Sequence, residues 1–163
     1  MALEIERKFL VAHDGWKDST VRRIHIRDGL VASSNGNKAR IRIADDVATL
    51  ALKGDRHGPA RSEFEYQIPK PDAEQMLRTM CGGHVLEKTR HLVSHAGATW
   101  QIDIYEGILK GVVLAEIELE HANQELKLPD WVGKEVTGDP NYRKVNMLAQ
   151  RIDALRENNP GLL

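Results

Sequence analysis

Leu3-Glu4-Ile5-Glu6-Arg7-Lys8-Phe9-Leu10-Val11 opens the chain on an alternation: Glu4, Glu6 and Lys8 share one face of an extended strand, and Leu3, Ile5 and Phe9 share the other with Arg7. The same two-residue period recurs downstream. Lys38 to Ile43 sets Lys38, Arg40 and Arg42 against Ala39, Ile41 and Ile43, and the mostly apolar Ala48 to Lys53 ends on Lys53. Arg61 to Ile68 opposes Arg61, Glu63, Glu65 and Gln67 to Phe64, Tyr66 and Ile68. In Val85 to Val93, Lys88 and Arg90 share a face, and in Thr99 to Tyr105 the pair Gln101 and Asp103 opposes Trp100, Ile102 and Ile104. Val112 to Glu120 closes the series with Glu116, Glu118 and Glu120 against Val113, Ala115, Ile117 and Leu119.

Turn chemistry separates these segments. Ser34-Asn35-Gly36-Asn37, Ala44-Asp45-Asp46, the run from Gly54 to Pro59, and His95-Ala96-Gly97-Ala98 all carry residues that favour reversal, and such short links join antiparallel neighbours. Helical spacing is confined to two places. Pro71 to about Thr79 has Asp72 as a cap with Met76 and Leu77 facing inward. The other, about 142–157, carries Val145, Leu148, Ile152 and Leu155 at helical spacing after Asp139-Pro140-Asn141. The pattern is that of an α+β chain with a C-terminal helix; if about eight such antiparallel strands close into a barrel, their polar faces line its interior and their apolar faces pack on helices and loops outside.

The 163 residues suit a single domain spanning 1–163, with 41% hydrophobic and 29% charged residues, as in an ordinary globular protein. Lys and Arg number 23 against 24 Asp and Glu, so the basic excess of a chain that wraps nucleic acid is missing and no nucleic-acid partner is expected. Cys81 is the lone cysteine, which rules out an internal disulfide and suits a reducing, cytoplasmic setting. The first residues carry charge from Glu4 onward, so neither a signal peptide nor a membrane association is expected. The sequence leaves a homodimer open.

One charged strand face is ordinarily a solvated sheet surface. Here, however, the signs segregate: carboxylates in Glu4/Glu6, Glu63/Glu65 and Glu116/Glu118, cations in Lys38/Arg40/Arg42 and Lys88/Arg90. Carboxylates two apart on one strand face repel unless a positive charge lies between them. A divalent cation meets that need, and oxygen donors without supporting His or Cys suit Mg²⁺ or Mn²⁺ rather than zinc. Clustered cations pose the complementary problem, which phosphate solves through charge-assisted hydrogen bonds.

Glu4-Ile5-Glu6-Arg7-Lys8 resembles the ExExK signature of the CYTH domain, the triphosphate tunnel metalloenzyme superfamily. Arg40-Ile41-Arg42, Lys53, Glu63-Phe64-Glu65, Glu87-Lys88-Thr89-Arg90, Asp103, Glu116-Ile117-Glu118 and Glu135-Val136-Thr137 follow in that family's order, and Tyr142 to Asn146 is similar to its closing motif in short bacterial members. The resemblance, strongest to short bacterial inorganic triphosphatases, implies an eight-stranded tunnel in which water hydrolyses a small-molecule triphosphate, most simply inorganic triphosphate, with Mg²⁺ or Mn²⁺. It implies Glu4, Glu6, Asp103, Glu116 and Glu118 as metal-binding residues. Lys8, Arg40, Arg42, Lys53, Lys88 and Arg90 are then phosphate clamps, and Glu63, Glu65 and Lys8 the catalytic set. One departure stands out: Asp28-Gly29-Leu30-Val31 occupies the place of a Gln-Gly-Tyr-Leu-like strand, and Leu30 has no phenol hydroxyl to orient Lys8.

Competing readings remain at this level. The same clamps suit a class IV-type adenylyl cyclase, a thiamine or nucleoside triphosphatase, or a non-catalytic polyphosphate- or nucleotide-binding module. His91 and His95 lie four apart, but on a strand that spacing does not make a metal pair. Cys81 reads as a buried or loop thiol, and Trp16, Trp100 and Trp131 as core.

Overall fold

A computed structural model describes residues 3–82 and 84–161. Eight antiparallel strands close into a barrel: β1 (Leu3–Val11), β2 (Thr20–Ser34), β3 (Asn37–Ala44), β4 (Val47–Lys53), β5 (Ala60–Ile68), β6 (Leu86–His95), β7 (Ala98–Glu106) and β8 (Val113–Glu118). The order around the wall is β5-β4-β3-β2-β6-β7-β8-β1, and the circle closes where Leu3, Glu4 and Ile5 of β1 pair with Ser62, Arg61 and Ala60 of β5. A short β9 (Val132–Glu135) adds to the far half of β1. Helix α1 (Lys70–Thr79) links β5 to β6, and α2 (Lys144–Asn158) ends the chain.

The alternation seen in the sequence is resolved by the register. Glu6 lies opposite Glu118 and Lys8 opposite Glu116, while Arg90 faces Asp103 and Lys53 faces Glu63. These residues belong to the inward parity, so the barrel buries its charged faces and turns its apolar faces outward. The outward side chains are then covered in two places. Phe9, Trp100, Ile117 and Trp131 pack beneath β9 and the segment leading to it, with Trp100 at 5.5 Å edge-to-face from both Phe9 and Trp131. Ile41, Ile43 and Ala48 pack against Ala73, Leu77 and Cys81 on and beside α1.

Helix α2 behaves differently. At one end of the barrel the inward faces turn apolar, at Leu86, Tyr105 and Leu114, and Met147 of α2 packs into them together with Leu109. Of the helical positions expected to face inward, Val145 and Leu155 are exposed and Leu148 is half-buried; Met147 is the buried residue. The helix starts at Lys144, after a 3₁₀ turn over Pro140–Tyr142 in which Asp139 accepts from the Asn141 amide at 3.0 Å. Likewise α1 begins at Lys70 behind Pro69, and Asp72 lies in its first turn rather than capping it.

Two strands escape the alternation rule. Strand β2 runs 15 residues, but Arg22, Arg23 and His25 carry polarity on both faces and Gly29 interrupts it, so periodicity alone does not mark it. Strand β9 has four residues and no periodic signal.

Gly29 is required by packing. A Cβ there would stand 2.6 Å from Cys81 Sγ and 2.7 Å from Leu77 Cδ2, so only glycine lets α1 approach this wall of the barrel. Burial also pushes the Cys81 thiol up, which keeps it inert. Gly29→Ala is expected to destabilise the protein by about 1–3 kcal/mol through overpacking, with Cys81→Ala recovering part of the loss. Denaturant midpoints of the single and double variants check this; an unchanged midpoint in Gly29→Ala contradicts the close approach.

Candidate active site

The inward faces enclose a cavity of about 760 Å³. Its lining falls into three zones that follow from strand register.

Carboxylates occupy the first. Glu4 and Glu6 project from β1, Glu116 and Glu118 from β8, and Glu63 from β5. Lys53 Nζ lies 3.3 and 3.2 Å from the two oxygens of Glu4, and Arg56 Nη2 donates to Glu6 at 2.9 Å. These cations do not cancel the crowding. Burial, with Glu116 and Glu4 close by, raises the Glu6 carboxyl above its usual value, and partial burial with Glu4, Glu6 and Glu63 does the same to Glu118. Raised pKa values in adjacent carboxylates signal a shortage of positive charge.

Cations form the second zone, with the opposite shortage. Lys38, Arg40 and Arg42 follow one another along β3 at alternate positions, about 6–7 Å apart. Lys38 is depressed by burial and by repulsion from Arg61, Arg143, Lys53 and Lys8. Arg40 touches Glu63 and Glu65 only at 3.7 and 3.4 Å, and its buried Nε lacks a partner, as does Nε of Arg61. Lys38, Arg40 and Arg61 all line the cavity, and cations gathered there with so few close carboxylates are suited to an anion.

A third zone is internally neutralised. Asp103 is wholly buried and accepts from Lys88 at 2.7 Å and from Arg90 at 2.8 and 2.9 Å. Burial would raise its pKa, but the two cations outweigh that and hold it well below the carboxylate range. For Glu116, too, burial is outweighed, by Lys8 at 3.7 Å and Arg90 at 3.9 Å, and its pKa falls to about 2. Asp28 on β2 chelates Arg42 at 2.6 and 2.8 Å and takes a third contact from Lys144 at 3.1 Å.

The residues singled out from the sequence are distributed accordingly. Lys8, Arg40, Arg42, Lys53, Arg90, Glu4, Glu6, Glu63, Glu65, Glu116 and Glu118 all line the one cavity. Glu65 sits at its rim, 46% exposed at the side chain. Lys88 and Asp103 do not reach the lining: both are buried behind it and bind each other. His91 packs edge-to-face on Trp16 at 4.9 Å, so with His95 it forms no metal pair. Missed were Asp28, Arg56, Arg61, Arg143 and Lys144. Arg61 shares the parity of Glu63 and Glu65 and was findable; Arg56 lies in a turn and Arg143 and Lys144 at a helix start, where alternation carries no information.

Leu30 lines the cavity opposite Arg40 in the β2–β3 ladder. Lys8 is held instead by the Tyr142 carbonyl, to which Nζ donates at 3.3 Å, and by Glu116. Its backbone is fixed as well, since the Lys8 amide donates to Thr137 Oγ1 at 2.9 Å, and Arg7 next to it makes two 2.8 Å bonds to Glu135.

The donor set fits a hard divalent cation. Among the described residues no three His, Cys, Asp or Glu side chains converge into a ready-made cage. The carboxylates of Glu4, Glu6, Glu116 and Glu118 are the oxygen donors that such a cation would use together with phosphate oxygens. No helix of the described residues is long and apolar enough to cross a membrane.

The CYTH domain family matches residues 2–148. An inorganic triphosphatase of Acetivibrio thermocellus is 39% identical over 148 residues, covering 91% of this chain and 94% of its own. The solved inorganic triphosphatase NE1496 aligns at TM-score 0.65 with 30% identity over 91% of this chain and 95% of its own. A protein from Pyrococcus horikoshii shares the fold at TM-score 0.59 and 19% identity, covering 74% of this chain and 80% of its own.

Opposite pKa directions give a pH test. A carboxyl raised by folding opposes stability when ionised, and that penalty fades as pH falls toward the unfolded value of about 4. Glu118→Gln is therefore expected to raise the melting temperature of chelator-treated protein at pH 7 by ~1–3 °C, the gain shrinking as pH approaches about 4. A lowered carboxyl behaves in reverse: Glu116→Gln should lower the melting temperature at pH 7, and the deficit should close only as pH falls from about 4 toward 2. Changes of the same sign in both variants would contradict the assignment of charge shortage.

Proposed function

We propose that this chain, which belongs to the CYTH domain family, is a metal-dependent inorganic triphosphatase. The observation that carries the reading is the pairing of two unresolved charge shortages in one cavity, carboxylates short of cations beside cations short of anions, Lys38 without a partner among the described residues and Arg40 with only loose ones. A triphosphate with a divalent cation relieves both together. Inorganic triphosphate is what the relative from Acetivibrio thermocellus is named for, at an identity that spans nearly the whole chain.

In this reading Lys38, Arg40, Arg61 and Arg143 hold phosphoryl oxygens of the substrate, with Lys53 at the boundary to the carboxylates. Water attacks the terminal phosphorus in line, the bond to the bridging oxygen breaks, and pyrophosphate and orthophosphate leave. Glu63, with Glu65 at the rim, orients that water and accepts its proton. Lys8, anchored by Tyr142 and Glu116, presents a fixed ammonium to the negative charge that builds on the phosphate chain. Arg90 meets the cavity directly, and Lys88 acts from behind through Asp103, which fixes the Arg90 guanidinium in two hydrogen bonds. Glu4, Glu6, Glu116 and Glu118 would hold Mg²⁺ or Mn²⁺, which when bound neutralises phosphate charge and polarises the phosphoryl group under attack.

Leu30 supports a second reading. With Leu86, Val145 and Leu148 it gives the cavity an apolar flank, and a volume of about 760 Å³ falls in the range that takes organic ligands. A nucleoside or thiamine triphosphate would place its organic group there.

Phosphate release from inorganic triphosphate, ATP and thiamine triphosphate, with Mg²⁺, Mn²⁺ or excess EDTA and with cyclic AMP followed in parallel, decides between these. The expected outcome is fastest release from inorganic triphosphate, none in EDTA, and no cyclic AMP. Full turnover in EDTA would remove the metal from the account, and faster release from an organic triphosphate would favour the second reading. Arg40→Ala and Lys8→Ala are each expected to lower kcat/KM on inorganic triphosphate about 100-fold, whereas Leu30→Tyr, which narrows the apolar flank, should depress any activity on thiamine triphosphate more than that on inorganic triphosphate. Equal losses on the two substrates would show that Leu30 does not contact an organic group.

A further inference from the structure

The three cations that march along β3 are not equally available. Lys38 has no ion-pair partner among the described residues, and Arg40 has only loose ones at 3.4 Å and beyond. Arg42, the last of the row, is chelated by both oxygens of Asp28 at 2.6 and 2.8 Å. The same carboxylate holds Lys144 at 3.1 Å and lies 4.0 Å from Lys88. Asp28 is 4% exposed, yet these cations keep it fully ionised, and its backbone position directly opposite Arg42 in the β2–β3 ladder fixes it there.

A planar carboxylate accepting two parallel bonds from one guanidinium and a third from an ammonium occupies its partners much as a phosphoryl group would. We infer that Asp28 is a built-in anion that ends the phosphate row, and so determines the length of phosphate chain this tunnel accepts. A chain extending along β3 from Lys38 past Arg40 meets a negative group in place of a free Arg42. An additional phosphoryl group there would have to displace a bidentate ion pair or tolerate a like charge in a poorly solvated site, and either penalty discriminates against the longer chain. The inference rests on the assignment of the β3 cations as phosphate ligands made above. It is specific to residues 28, 42 and 144, because Lys88 and Arg90 already have Asp103 as their counter-ion.

The test is the ratio of kcat/KM on inorganic tetraphosphate to that on inorganic triphosphate, measured with Mg²⁺ for the unaltered protein, Asp28→Asn and Lys144→Met. The expected result is a rise in that ratio of about tenfold in Asp28→Asn and no rise in Lys144→Met, which leaves the carboxylate on Arg42. Should Asp28→Asn not fold, the double variant Asp28→Asn/Lys144→Met, with one charge of each sign removed, is expected to show the same rise. A ratio that stays constant or falls in a folded variant lacking Asp28 overturns the inference. So does an equal rise in Lys144→Met alone, since loosening of α2 would then explain it. Titration calorimetry of the two phosphate chains into EDTA-treated protein reads the same preference from affinities. An absence of turnover would sink the hydrolytic reading, while the affinity ratio would still decide the role of Asp28.

Discussion

Charge confined inside a barrel is the constraint on which this structure depends. An ionised group taken from water is costly unless it meets an opposite charge or a set of hydrogen bonds, and a wall of eight strands brings more than a dozen such groups into one enclosure. The chain answers for some of them itself. Asp103 with Lys88 and Arg90, and Asp28 with Arg42 and Lys144, are closed ion clusters with short, directed bonds. Others are left open, carboxylates on β1, β5 and β8 and cations on β3, β5 and at the start of α2. That unresolved remainder is the candidate site.

The inverted barrel also dictates where the stabilising apolar contacts go. Since the interior cannot serve as the core, apolar packing is built on the outward faces, where the tryptophans supply much of it: Trp16, Trp100 and Trp131 are nearly inaccessible to solvent, while Leu3, Leu52, Phe64 and Tyr66 on β1, β4 and β5 stay exposed. On the opposite side Gly29 gives up its side chain so that α1 can lie against β2 and β3. The interior joins the hydrophobic structure only at the end where Met147 meets Leu86, Tyr105 and Leu114. The same helix start that brings Met147 there delivers Lys144 to Asp28, so the plug and the charged lining are tied within one turn of α2.

Much of this was legible in the amino-acid order because strand geometry turns a period of two into a face. Glu4, Glu6 and Lys8, or Arg61, Glu63 and Glu65, point the same way whatever surrounds them. What a single strand does not reveal is its partner across the barrel. Asp103 has the parity of a ligand, yet the strand register places it against Arg90 and beside Lys88, and that pairing withdraws it and Lys88 from the lining. Asp28 lies on a strand whose outer half is polar on both faces, so alternation gave it no distinction. Arg56, Arg143 and Lys144 reach the cavity from turns and a helix terminus, where no periodicity operates. Leu30 offers Lys8 no hydrogen bond, and the group that holds Lys8, the main-chain carbonyl of Tyr142, carries no side-chain signal in the sequence.

If two opposite charge shortages define the site, its two ligands must assist each other. Isothermal titration of Mg²⁺ into the protein, with and without a non-hydrolysable imido analogue of triphosphate, measures that coupling directly. The account predicts that saturating analogue tightens Mg²⁺ binding at least about tenfold, and that Mg²⁺ tightens binding of the analogue by the same factor, as linkage requires. Independent binding of the two, with no change in either affinity, would contradict it.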